Sequence, residues 1–304
     1  MLKDTLFIYK KDECPEFLYH YTSMDALYSM LKNKELWIGN TVSMNDSSEI
    51  KEFYNNFKKC LIKELPNKKS SIEKMFKDVN NQIKGKYPFA MSFSPLEDDA
   101  AQWERYGDDA RGVCIKFKTE ELAKQLAVLP FTIDKVNYGV QISDICKGDY
   151  DMIYKYFSTN QIFSPLTEKT LKIEDDDFTQ EALINLINFA ARYKNKGFLS
   201  ENEYRVFNYS QITSNDDIKK FLYFENEAKQ PVYIDYSCSG KLIKKFIIIR
   251  LGILNPKTTF NETIDKIIIG PRSQQSRTLL QEYVQYLGYS TFAKHISDSE
   301  CTLR

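Results

Sequence analysis

The longest apolar stretch of the chain, Phe246 to Leu254, is interrupted by Arg250, too short to span a bilayer as a helix. Apolar residues come instead in short runs, some alternating and some at helical spacing. The core must therefore be assembled from many short strands and helices. Ser23 is placed to cap a helix through Lys32, with Met24, Leu27, Met30 and Leu31 on one face. A second helix starts at Asn45-Asp46 and carries the stripe Ile50, Phe53, Tyr54, Phe57 and Leu61. A Lys-rich amphipathic stretch at 68–84 reads as a solvated helix. Asp98 or Asp99 can cap a short helix bearing Trp103 and Tyr106, and Thr119 one bearing Leu122, Leu126 and Leu129. Strands are expected at 36–38, 88–94, 112–117, 202–209, 231–236, 243–250, 266–269 and 290–296, with one or two more in 131–142. Further helices are expected near 149–157, 178–193 and 273–287. No internal repeat is present, and the expectation is one α+β domain over 1–304 with a helical insertion at about 143–195.

Charge and composition narrow the function. The chain has 304 residues, with 42 Lys+Arg against 42 Asp+Glu, which excludes a globally basic nucleic-acid binder but allows a local groove. Its only two histidines are His20 and His295, and its six cysteines are scattered without a CxxC pair. A clustered zinc site is therefore not expected, and no metal is assigned. The thiol pattern and the lack of an apolar N-terminal stretch lead to the expectation of a soluble cytoplasmic protein without membrane contact.

Four segments hold polar residues in places where packing alone does not ask for them. Tyr19-His20-Tyr21-Thr22 ends a strand just before a helix, though a lone histidine is often structural. Met44-Asn45-Asp46-Ser47-Ser48-Glu49 has the outline of a capping box, and capping alone accounts for it. Ser92-Phe93-Ser94 ends a strand and precedes Trp103, Tyr106 and Arg111, which offer hydroxyls, flat rings and a cation. In Glu201-Asn202-Glu203-Tyr204-Arg205, an extended backbone would put 201, 203 and 205 on one face and Tyr204 and Val206 on the core side. The plain alternative is a ladder of surface ion pairs. Paired carboxylates also occur in glycoside hydrolysis, a reading that leaves the histidine strand without a purpose. Gly270-Pro271-Arg272-Ser273, with Arg277 nearby, is a weaker candidate for anion binding.

In order along the chain, Leu18–Ser23, Leu36-Trp37, Met44–Glu49, Ser92–Ser94, Trp103–Tyr106, Gly112–Phe117, Glu201–Arg205 and Ile267–Pro271 resemble the bacterial domain-of-unknown-function 2971 family. Only Ser47 departs, where that family often has proline. The order of histidine, serine strand and late glutamate is similar to the ADP-ribosyltransferase fold, a split β-sheet core with helical insertions and an NAD cleft between two sheets. This resemblance implies that NAD is the substrate and that Glu203 is the catalytic glutamate, with His20 holding a ribose hydroxyl. Tyr21 and Thr22 would grip the carboxamide, and Tyr106 or Tyr21 would stack on nicotinamide. Ser92, Ser94, Trp103 and Arg111 would complete the NAD site, and Glu201 would orient the acceptor. The acceptor would be a protein or nucleic acid, and a bacterial toxin or phage-defence role, with an antitoxin or regulatory partner, is implied. A non-catalytic module that senses a nucleotide or holds a partner on the same fold is the competing expectation.

Overall fold

The computed structural model describes residues 14–41, 48–83, 88–127, 131–139, 161–164, 169–172, 190–208, 212, 214–222, 230–239, 242–253 and 259–303. Ser23 caps the first helix as its sequence implies. Its side chain accepts from Ala26 N at 3.2 Å, and Leu27, Met30 and Leu31 of α1 (Met24–Asn33) are buried. Before it runs β1 (Phe17–Thr22) and after it β2 (Glu35–Asn40). The chain continues through α2 (Ser48–Glu64), α3 (Lys69–Ile83), β3 (Phe89–Phe93), α4 (Ala100–Tyr106), β4 (Val113–Lys118), α5 (Thr119–Leu126) and β5 (Phe131–Lys135). Short pieces follow: β6 (Asn137–Tyr138), β7 (Gln161–Ser164), β8 (Lys169–Lys172) and β9 (Tyr193–Lys194). The remainder comprises β10 (Tyr204–Asn208), α6 (Asn215–Phe221), β11 (Val232–Ser239), β12 (Leu242–Arg250), α7 (Phe260–Thr263), β13 (Ile264–Ile269), α8 (Arg277–Tyr286) and β14 (Ile296–Asp298).

Two sheets carry the fold, which is α+β. One has the order β1-β4-β13-β14, and the other β11-β12-β2-β3-β10-β5. The larger sheet is antiparallel throughout, whereas β13 and β14 run parallel. A single apolar cluster draws on both sheets and on α1 and α5, with Leu18, Leu36, Ile115, Val206, Ile247 and Ile267 among its members. Alternation explains the larger sheet's other face. Leu36, Ile38, Tyr204 and Val206 point to that core, and the residues between them point away from it.

The sheets are joined at β3. Towards Ser92, β3 leaves β2, whose pairing with it is Gly39↔Ala90 and Asn40↔Phe89, while it keeps β10 on its other side. Two residues on from Ser92, Ser94 exchanges two 2.8 Å backbone bonds with Tyr19 of β1. The same strand thus belongs to one sheet at its start and reaches the other at its end. Gly112 and Gly270 allow the tight entry of β4 beneath this seam. A Cβ at Gly112 would lie 2.0 Å from the Thr22 carbonyl oxygen, and one at Gly270 2.4 Å from that of Ala110.

Several local expectations need correction. The Lys-rich helix is not merely solvated, because Ile72, Met75 and Phe76 of α3 are buried and Phe76 packs on Tyr54 and Phe57 of α2. Thr119 lies inside α5 with Lys118 at the cap position, and Ser276 rather than Ser273 caps α8. The last strand is pushed from 290–296 to 296–298 by a 3-10 turn at Ala293–His295. Tyr193, expected to end a helix, forms a short strand with Lys194 instead. The expected helix near 149–157 lies outside the described residues, as does most of that at 178–193.

Candidate functional site

His20 sits where the two sheets part. Its Nδ1 is 2.9 Å from the Ser92 carbonyl oxygen, which can only accept, so Nδ1 carries the proton in the neutral ring. Burial holds the imidazole pKa below its ordinary value despite that hydrogen bond. The ring is therefore neutral at pH 7, with Nε2 as an acceptor. It fills the gap between the β2 pairing of β3 and the Tyr19–Ser94 bridge.

Beside it lies a buried ionic network that the 201–205 segment only half announces. The strand starts at Tyr204, later than expected. Before it, a 3-10 turn spans Lys196–Glu201, and Asn202 adopts the left-handed region at φ 46°. Glu201, Glu203 and Arg205 nonetheless converge, each no more than 5% exposed, so they are not a surface ladder. Arg205 donates from Nε to Glu203 Oε1 at 2.7 Å and from Nη2 to Glu203 Oε2 at 3.2 Å and Glu49 Oε2 at 3.0 Å. Lys194 Nζ lies 2.5 Å from Glu201 Oε2, 2.9 Å from Glu203 Oε2 and 3.8 Å from Glu49 Oε1. Glu201 Oε1 accepts from Tyr106 Oη and from Arg105 Nη1, both at 2.9 Å.

Three carboxylates thus face three cations, which is how buried charge is tolerated. Burial alone would raise the Glu203 pKa, but Arg205 and Lys194 hold it down to about 2. Ser92, opposite Arg205 in the strand pairing, also lowers it. Glu49 is pushed up by burial, only partly offset by Arg205 and Lys194. Burial lifts Tyr106 to about 12, so its hydroxyl stays a donor to Glu201.

Two members of this network have no warning in the sequence beyond their charge. Lys194 enters on β9, which pairs with β6 through Tyr138↔Lys194 and is clamped by α2. Tyr193 stacks obliquely on Phe53 at 5.4 Å and accepts from Asn56, while Asn195 donates to Glu52. Nothing local separates Lys194 from other lysines. Glu49 reads as a capping residue, yet its carboxylate turns inward to Arg205; the proposed capping partners at 44–47 lie outside the described residues. Tyr138, likewise unforeseen, accepts from Glu203 N at 2.7 Å.

A cavity of about 810 Å³ opens along the seam, and His20, Tyr21, Thr22, Ser92, Ser94, Tyr106, Glu201 and Glu203 all line it. Two expected members do not. Trp103 is fully buried in a separate cluster with Tyr21, Ala110 and Cys114, its indole N–H on Asp98 at 2.6 Å. Arg111 is on the outer surface, paired with Asp109 at 2.9 Å. The Tyr21 ring packs edge-on against Trp103 at 4.9 Å and its hydroxyl is used by Leu96 and Asp99. Of the two tyrosines considered for stacking, Tyr106 is the one whose ring remains beside the network. Arg272 pairs with Asp109 at 3.0 Å, which neutralises the weaker anion site.

Among the described residues, no cluster of three or more His, Cys, Asp or Glu could hold a metal ion, and no helix is long and apolar enough to cross a membrane. No curated protein and no solved structure matches the chain. Residues 102–206 match the model of the family described as "Protein of unknown function (DUF2971)". The match agrees with the resemblance drawn from the motifs and takes in Trp103–Tyr106, Gly112–Phe117 and Glu201–Arg205, in the segment that carries Tyr106, Lys194, Glu201, Glu203 and Arg205.

Proposed function

We propose that the chain is an NAD-dependent ADP-ribosyltransferase built on a split-sheet fold, acting on a macromolecular acceptor, protein or nucleic acid. The supporting observation is that His20, Tyr106 and Glu203, far apart in sequence, line one cavity where two sheets part. In this reading the Tyr106 ring flanks nicotinamide and His20 positions a ribose hydroxyl. As the bond from ribose C1′ to nicotinamide breaks, its electron pair leaves with the ring and positive charge develops on the ribose. The ionised Glu203 stabilises that charge mainly in the transition state, and the acceptor nucleophile then bonds to C1′.

In this reading Lys194 has a task as well. A carboxylate has about four acceptor positions. Arg205 takes two of them and Lys194 one, and Ser92 lies beside the fourth. A ribose hydroxyl must displace one of these donors. Lys194 is the one that can leave without losing its charge partners, because Glu201 holds it at 2.5 Å and Glu49 lies within 3.8 Å. Glu201 then serves to park this lysine, in addition to any contact with an acceptor.

The same crowding of Glu203 by its cations favours the second reading, a nucleotide-sensing or partner-binding module without turnover. Incubating pure protein with NAD and following nicotinamide release separates them. The transferase reading expects release in the wild type and a loss of about 10²–10³-fold in Glu203→Gln. NAD binding without release across protein and nucleic-acid acceptors sinks it in favour of the module.

A further inference from the structure

The cavity has a second end, remote from the ionic network. On the face of the larger sheet that turns away from the core, Trp37 of β2 and Phe246 of β12 are half-buried, 5.2 Å apart between ring centres, and both line the cavity. The indole N–H is already committed to Glu35 at 3.1 Å. Glu35 also accepts from Tyr233 at 2.9 Å and Arg250 at 3.2 Å, so this anchor is itself held. What Trp37 has left to offer is its ring face. Met30 and Ala26 of α1 line the cavity as well, as does Lys244 of β12. Among the described residues, no carboxylate pairs with Lys244.

Between the two ends the floor is low. Gly39 pairs with Phe246 on one side and Ala90 on the other, so no large side chain fills the trough. From β12 through β2 and β3 to β10 there are three strand spacings, about 14 Å. A mononucleotide seated at Glu203 does not cover that distance, whereas a dinucleotide joined by a diphosphate can. A polarisable aromatic shelf with a cation at its rim is the chemistry that recognises a flat base followed by phosphate.

We propose that the Trp37–Phe246 shelf is a purine subsite, which takes the adenine of an adenylyl group while Lys244 faces its phosphate. This rests on the NAD reading for the identity of the base, but not for the existence of the shelf. It makes the cavity two-ended, with recognition at the shelf and bond breaking at Glu203.

Two probes, AMP and nicotinamide mononucleotide, test the ends separately by calorimetry and by tryptophan emission. The only two tryptophans are Trp37 and the fully buried Trp103, so emission changes at the shelf report Trp37. AMP is expected to bind and quench emission, and Trp37→Phe to abolish the quench while AMP heat persists. Phe246→Ala should weaken AMP about ten-fold with nicotinamide mononucleotide unchanged. Should Phe246→Ala fail to fold, Gly39→Leu replaces it: a Cβ there meets the Phe246 ring at 3.6 Å, an ordinary contact, and the filled trough should block AMP. AMP that fails to bind, or binds equally well to the Phe246→Ala or Gly39→Leu protein, overturns the shelf. If nicotinamide mononucleotide still binds in that case, the reading of the Glu203 end survives. AMP bound as expected without nicotinamide mononucleotide keeps the shelf and removes the nicotinamide assignment.

Discussion

Two ionic clusters in this molecule use the same groups in opposite surroundings. Around Glu203, side chains of Lys194, Glu201, Glu203, Arg205 and Glu49 are 3–10% exposed. On the smaller sheet, Glu97 pairs with Lys266 at 2.9 Å and Lys116 with Asp265 at 3.3 Å, with exposures of 17–36%. Distances barely differ between the clusters. In the outer one, water screens each charge and a lost partner is replaced by solvent. In the inner one, a lost partner leaves a charge with nowhere to go. A buried cluster of this kind adds little net stability over an apolar core.

That contrast can be broken most directly at Arg205. Arg205→Ala leaves Glu203 and Glu49 facing each other without their cation, and urea unfolding should show a loss of about 3–5 kcal/mol. A loss below about 1 kcal/mol would mean that the inner cluster is solvated after all.

Acid titration sharpens the comparison. The Glu203 pKa is depressed from 4.5 to about 2 in the folded chain. Its contribution is therefore fully present above 4.5 and disappears as pH falls from there towards about 2. By linkage it amounts to up to about 3 kcal/mol. Glu49, whose pKa is raised, works in the opposite sense, its contribution present at low pH and lost as pH rises through its folded value. Melting temperatures of Glu203→Gln measured across this window should lose the steep acid limb that the wild type has. Equal slopes in both proteins would refute the assignment.

The smallest effect belongs to the outer cluster. Lys266→Ala should cost under about 1 kcal/mol and the difference should shrink in high salt. A salt-insensitive loss as large as that of Arg205→Ala would erase the distinction between the two regions.

How much of this was legible beforehand follows from the range of each signal. The cap at Ser23, the cap at Asp99 with its helix to Tyr106, and the apolar faces of β1, β4 and β13 are written in neighbouring residues. Patterns of that range survive into the fold. The two-residue strand at Lys194 has too few neighbours to leave a pattern, and it exists because β6 and α2 hold it. The turn at Ala293–His295 displaced the final strand for a similar reason: the β13 edge decides where pairing begins. Trp103 and Arg111 read as site residues because they are near Tyr106 in sequence, but Trp103, one turn earlier on the same helix face, is held deeper in the Tyr21 cluster, and Arg111 lies in the loop after the helix and pairs with Asp109 at the surface.

Sequence alone therefore determined the alternation of short elements, the α+β class and the spacing that lets Glu203 and Arg205 meet. Tertiary structure decided that they meet in the dark. Ser92 from β3, Glu49 from α2 and Lys194 from β9 arrive from segments remote in the chain, and only their arrival excludes water from the carboxylates. Burial is a collective property of many segments, whereas periodicity is a property of one, and the electrostatics of this site follow from burial.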